Sequence, residues 1–255
     1  MVPSFFISHG SPTLAIEKNE YTDILSKIGS LHNPKAIVLF TAHWEKRVTT
    51  ISFKEDKYDT IHDFGGFSEE LHNVTYPASG SVEVAAKVER LLNDHNIESD
   101  QDGVRGLDHG SWVILKHMYP EVNIPIVQVS VNPDLSPKEQ FSIGAALREL
   151  ANENILVIGS GGISHNLGLI KWGQSYPEKW ATEFDEWIIE QVRERKYEQL
   201  FNYDKLAPHA QLAVPRAEHI VPLFIALGSG DVKEKPKVMH HSYQYATLSH
   251  IIFQF

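Results

Sequence analysis

Fourteen histidines and no cysteine occur in this 255-residue chain, so any metal it holds must be bound by imidazole and carboxylate groups. Disulfides and thiolate metal sites are both excluded. Three of the histidines follow the same kind of segment. Ser8-His9-Gly10-Ser11-Pro12 succeeds the apolar run Val2 to Ser8. His43-Trp44-Glu45 succeeds Ala36 to Ala42, and Ser160-Gly161-Gly162-Ile163-Ser164-His165-Asn166 succeeds Ile155 to Gly159. In an open parallel sheet the carboxyl ends of the strands share one edge, and ligands bind in the crevice there. The three imidazoles can therefore converge although they are distant in sequence. A lone histidine after a strand reads as a hydrogen-bonded structural residue. Three together leave donors and acceptors unpaired unless they share a partner. A metal ion is such a partner, and imidazole suits Zn, Fe, Ni or Cu better than Mg or Ca.

Two further histidines are candidates. His219, in Pro215-Arg216-Ala217-Glu218-His219-Ile220-Val221-Pro222, opens an expected helix, and the adjacent Glu218 is the alternative carboxylate donor. His109, in Gly106-Leu107-Asp108-His109-Gly110-Ser111-Trp112, lies in a turn before a helix, which either Asp108 or His109 could cap. The remaining nine read as ordinary. His32, His95 and His117 fall on or after helices and are expected in solvent. His62, His72 and His209 are in loops, the first two within reach of the site if their loop folds over it, and His240, His241 and His250 belong to C-terminal strands. The phosphate-loop and zincin patterns are absent. Gly159-Ser160-Gly161-Gly162 lacks the second half of a dinucleotide fingerprint, and Ile158 stands where a nucleophile elbow needs glycine.

The elements that must position these side chains alternate in type. Strands are expected over Val2 to Ser8, Ala36 to Ala42, Val48 to Phe53, Ile124 to Ser130, Ile155 to Gly159 and Val238 to Phe255. Helical spacing marks Glu20 to Ser30, Ser81 to Asn96, Ser136 to Asn152, Pro177 to Arg195 and Glu218 to Leu227, with Ser136-Pro137 as N-cap and first-turn proline. This alternation predicts an α/β fold, a largely parallel twisted sheet flanked by helices, with the metal site at its carboxyl edge. One domain over residues 1–255 is expected, with Lys54 to Pro77 as a long functional loop. A net charge of −10 argues against nucleic acid and against an anionic membrane as partner. The N-terminal apolar stretch is short and lacks a basic flank, so a cytoplasmic location is expected.

Five segments in order, Ile7 to Pro12 (ISHGSP), Thr41 to Glu45 (TAHWE), Gly106 to Leu115 (GLDHGSWVIL), Ile158 to Leu167 (IGSGGISHNL) and Ala217 to Phe224 (AEHIVPLF), resemble the class III extradiol ring-cleavage dioxygenases, specifically their DOPA 4,5-dioxygenase branch. The resemblance spans nearly the whole chain. It implies a single α/β domain and one divalent metal, Fe(II) for activity, with zinc often found in purified members. His9, His43 and His219 match metal ligands. His165 matches a residue read either as a further ligand or as the acid/base, and His109 one that contacts the substrate hydroxyl or the oxygen. Protocatechuate-type members complete the ligand set with glutamate where this chain has His219, so Glu218 stays open as an alternative. The implied partners are a catechol, DOPA-like or another, and O₂. Arg105 or Arg216 could meet a substrate carboxylate, structural ion pairing being the alternative, and Tyr243 and Tyr245 could line the pocket or pack in the core. Two other readings use the same residues: a zinc hydrolase, and a non-catalytic binding member of the superfamily. Composition sets no oligomeric state.

Overall fold

Period-two alternation divides each central strand between two apolar layers. A computed structural model describes residues 1–255. Its eight strands are β1 (Phe5–Ser8), β2 (Ala36–Glu45), β3 (Thr49–Ser52), β4 (Ser99–Asp102), β5 (Ile126–Val131), β6 (Ile155–Gly161), β7 (Lys237–Gln244) and β8 (Leu248–Gln254). They form one sheet in the order β4-β3-β5-β2-β6-β1-β8-β7. Four of the seven neighbouring pairs are parallel, among them the central run β5-β2-β6-β1. The α/β architecture expected from the strand–helix alternation is the one observed.

On β1 and β2, Phe5, Ile7, Ile37 and Leu39 face one layer, where Tyr21, Leu25 and Ile28 of the Glu20–Leu31 helix meet Trp112 to Leu115 of the His109–Met118 helix. Val38 and Phe40 face the opposite layer with Val88 of the Val82–Asp94 helix, Ile143 of Pro137–Ala146 and Ile225 of Val221–Ser229. A third cluster packs Phe6, Ile251 and Phe253 against Phe184, Ile188 and Val192 of the Lys179–Arg193 helix. Each of these buried side chains stabilises the fold by roughly 1.5–3 kcal/mol before the entropy of ordering it.

Local signals explain several boundaries. Asn19 and Thr22 form a capping box at the first helix, and Ser136 and Glu139 form another ahead of Pro137. The structure also corrects the expectations. Residues 136–152 are not one helix: the α-helix ends at Ala146 and a 3-10 segment, Arg148–Glu153, continues to Asn154, which adopts a left-handed φ of 60°. Residues 218–227 divide as well, into a 3-10 turn, Ala217–His219, and an α-helix from Val221 with Pro222 in its first turn. Strand β2 runs to Glu45, so His43 belongs to the strand rather than to the loop after it. No helix is long and apolar enough to cross a membrane.

Candidate metal centre

The neighbouring parallel strands β1, β6 and β2 present their carboxyl ends together. His9 directly follows the Ser8–Gly161 pair, and His43 lies two residues past the Thr41–Ser160 pair. Gly10 takes a left-handed φ of +64°, and a Cβ there would stand 2.5 Å from His250 Nε2, so glycine is required to turn the chain away immediately after His9. The 3-10 turn Ala217–His219 lies directly on β6. A Cβ on Gly159 would meet Pro222 O at 2.2 Å and one on Gly161 would meet His219 O at 2.1 Å, while Gly162 N–H donates to His219 O at 2.8 Å. The glycines at the end of β6 therefore admit the backbone of His219 and Pro222 rather than a phosphate.

All five candidate histidines come together. Nitrogens of His9, His43 and His219 lie within 4.8 Å of one another, and His9 Nε2 is 3.1 Å from His43 Nε2. The His109 ring centroid is 4.0 Å from that of His43 and 5.4 Å from that of His9. His165 stacks on His219 at 3.5 Å with an interplanar angle of 10°.

The outer nitrogens show which way two of the three inner rings are protonated. Ser160 Oγ donates its one proton to Gly110 O, so the 3.1 Å contact with His9 Nδ1 requires His9 to be the donor. His219 Nδ1 lies 3.0 Å from Glu218 Oε1 and His43 Nδ1 lies 3.3 Å from Asp63 Oδ2, both acceptors. For His9 and His219 the proton thus sits on Nδ1 and the lone pair on Nε2, while His43 meets Asp63 at ion-pair distance. His219 Nε2 is buried without a partner. The 3.1 Å between His9 Nε2 and His43 Nε2 is also about the spacing of neighbouring nitrogens on an ion with bonds of roughly 2.0–2.1 Å. The donor set fits a divalent transition metal, with carboxylate and hydroxyl groups behind the imidazoles as such sites require. Glu218 serves His219 through Nδ1, and its other oxygen faces Arg216 Nε at 3.6 Å.

Burial sets the electrostatics. Desolvation, followed by the neighbouring imidazoles, holds His9 well below the ordinary imidazole range, and His219 is lowered by burial, His43 and His109. Burial and His109 bring His43 down to about 4 against the pull of Asp108, Asp63 and Glu218. Burial and His219 lower His165 to about 2. The rings are therefore neutral, the state a metal or a proton needs.

One contributor had no sequence signal. Asp63, on the loop between β3 and the short helix Glu69–His72, accepts from His109 backbone N–H at 3.1 Å and from His109 Nδ1 at 2.8 Å. It takes the capping place expected of Asp108, whose fully buried carboxylate instead accepts from Thr41, Ser111 and Arg105. His62 Nε2–H donates to Val74 O and the ring packs on Trp112, while His72 lies against Phe64, itself 5.7 Å from His109. Arg105 also binds His43 O and lies over Trp44, and Arg216 pairs with Glu45, so both arginines make structural contacts. Tyr243 bonds His241, and Tyr245 packs on Trp172. His117 and His95 are bonded to Leu14 O and Leu91 O, and His32 lies edge-on to Phe5, so none is simply solvated.

Comparison with known proteins places the chain among ring-opening dioxygenases. The family model described as the catalytic LigB subunit of aromatic ring-opening dioxygenase matches residues 3–255. The 4,5-DOPA dioxygenase extradiol of Mirabilis jalapa is 35% identical over 247 residues, covering 95% of this chain and 92% of the relative. That of Escherichia coli K12 is 37% identical over 260 residues, covering 99% and 94%. A crystal structure of an uncharacterized Escherichia coli K12 protein superposes with a TM-score of 0.85 at 33% identity, over 100% of both chains.

Proposed function

The chain belongs to the LigB family of aromatic ring-opening dioxygenases, and from that membership we propose that it cleaves a 3,4-dihydroxyphenyl substrate, DOPA or a close analogue, beside the diol. It is an extradiol ring-cleavage dioxygenase, an oxidoreductase that places both atoms of O₂ in the ring-opened product. In this reading one Fe(II) per chain is held by His9, His43 and His219. The observation that supports it is the convergence of His9, His43 and His219 nitrogens within 4.8 Å, with the outer protons of His9 and His219 held by Ser160 and Glu218.

When bound, the metal supplies Lewis acidity toward the substrate hydroxyls and redox chemistry toward O₂, the latter closed to zinc. The protein supplies position and proton movement. His165 is the acid/base: its ring is neutral, lies against that of His219, and makes no hydrogen bond to another side chain. It accepts a substrate hydroxyl proton and returns it as the O–O bond breaks. His109, with Nδ1–H committed to Asp63, offers Nε2 to the substrate. With the ring proton on Nδ1, that Nε2 accepts from a substrate hydroxyl.

Loading with Fe(II) under anaerobic conditions, followed by air and a panel of catechols that includes DOPA, tests the proposal. One O₂ consumed per substrate and a yellow ring-opened product are expected, with the zinc-loaded protein binding the same catechol but not turning it over. No oxygen uptake with any catechol refutes the activity. Hydrolysis of esters or phosphates by the zinc form without oxygen would install the hydrolase instead.

A further inference from the structure

Asp63 lies neither at a strand end nor on a helix, yet its one carboxylate reaches two imidazoles of the site. The loop that carries it is pinned to the Gly106-Leu107 segment: Ile61 N–H donates to Leu107 O at 2.8 Å and Leu107 N–H to Asp59 O at 2.9 Å. A Cβ on Gly106 would stand 2.3 Å from Asp59 O, so the close approach needs glycine. Trp112 Nε1–H fixes the next residue but one through Ile61 O at 2.9 Å. Asp63 is thereby delivered with its two oxygens divided. Oδ1 accepts from His109 N–H and Nδ1–H at 3.1 and 2.8 Å, and Oδ2 lies 3.3 Å from His43 Nδ1. A carboxylate only accepts and a backbone N–H only donates, so the direction of the His109 contacts is set, and Oδ2 stands as the acceptor nearest His43 Nδ1.

The geometry points to Asp63 as a positioning residue that fixes the Nδ1–H form of His43 and of His109 together, so that both rings turn Nε2 toward the same reaction centre. This rests on the reading of His43 as a metal ligand and His109 as a substrate contact. It adds that the two are coupled through a single side chain of the Lys54–Pro77 loop. Carboxylates behind metal-bound histidines act in this way, and their loss costs about 10–100-fold in metal affinity or activity.

The divided oxygens make the coupling separable. In Asp63→Asn the backbone N–H of His109 still needs an acceptor, so the amide oxygen stays on the His109 side and the amide nitrogen faces His43 Nδ1. That nitrogen only donates. It opposes the His43 proton and favours the Nε2–H form, which blocks the inward nitrogen, while His109 keeps its own arrangement. Asp63→Ala releases both rings. Zinc affinity would be measured by competition with a chromophoric chelator, and two-bond ¹H–¹⁵N spectra would report which nitrogen of each ring carries the proton.

For Asp63→Asn we expect zinc affinity to fall about 10–100-fold with the His109 proton still on Nδ1. Asp63→Ala should lose both signatures, with little change in thermal stability because the side chain is 26% exposed on a loop. Wild-type zinc affinity in Asp63→Asn, or a His43 Nδ1–H signal unchanged in it, overturns the inference while leaving the metal site standing. Failure of the wild-type protein to bind zinc at all removes the reading beneath it as well.

Discussion

An imidazole presents one nitrogen to its task only if something occupies the other, and here Ser160, Asp63, Glu218 and, for His250, the ring of Tyr21 illustrate how differently that is arranged. His250 stacks on Tyr21 at 4.6 Å, is buried, and leaves Nε2 without a partner. Burial, then the nearby His240, lowers it from 6.5 to about 4. The unfolded chain therefore binds a proton that the folded chain resists. Above 6.5 this costs nothing, and between about 6.5 and 4 stability falls with falling pH, by about 3 kcal/mol for a shift of this size. In metal-free protein, His250→Gln should flatten the loss of melting temperature between pH 7 and pH 4.5. An unaltered slope would mean the ring is not titrating as its surroundings dictate. At this scale His9, His43, His165, His109 and His219 were legible because each stands beside a recognisable element or turn. Asp63 was not, because its place depends on contacts between residues 59–61 and 106–112 that no local pattern announces.

Among the elements, β6 is the one on which the site depends most. It carries no candidate ligand of its own, but Ser160 holds His9, and the bare Cα of Gly161 lets the Ala217–His219 turn settle against the sheet. Gly161→Ala should force backbone apart at 2.1 Å from His219 O, a cost of about 1–3 kcal/mol or more, and should weaken zinc binding by displacing His219. Gly103→Ala, where the added carbon meets Phe53 O at an ordinary 3.5 Å, is the control expected to change neither. Thermal melts and zinc titrations on the two variants decide it; equal behaviour would show that the close approach is not what seats His219. The strand itself was plain from the Ile-Leu-Val-Ile run at residues 155–158. The division of 217–229 into a 3-10 turn and a helix was not, since Pro222 in a first turn is compatible with a helix beginning at several positions.

For the molecule as a whole, the proposed ligands just after β1, on β2 and in the turn after Arg216 would tie metal binding to folding of the sheet. Zinc at about 100 times its dissociation constant should add about 2.7 kcal/mol, roughly 5–10 °C in melting temperature for a chain of this size. EDTA should reverse it, and a melting point indifferent to both would argue that no ion is held by the native state. The α/β class followed directly from alternating strand and helix patterns, whereas the order of strands, and hence which histidines became neighbours, is a long-range property. That order has a last consequence. Strands in a sheet stand about 4.8 Å apart, so β1 and β2, with β6 between them, hold their backbones nearly 10 Å from each other. An imidazole leaning in from either side closes most of that gap, provided the middle strand finishes in residues too small to fill it, as Ser160, Gly161 and Gly162 are. The seat for the ion is carved by omission: its width is ruled by the hydrogen-bond ladder, and bulk introduced at the tip of the central strand would evict the guest without touching a single donor atom.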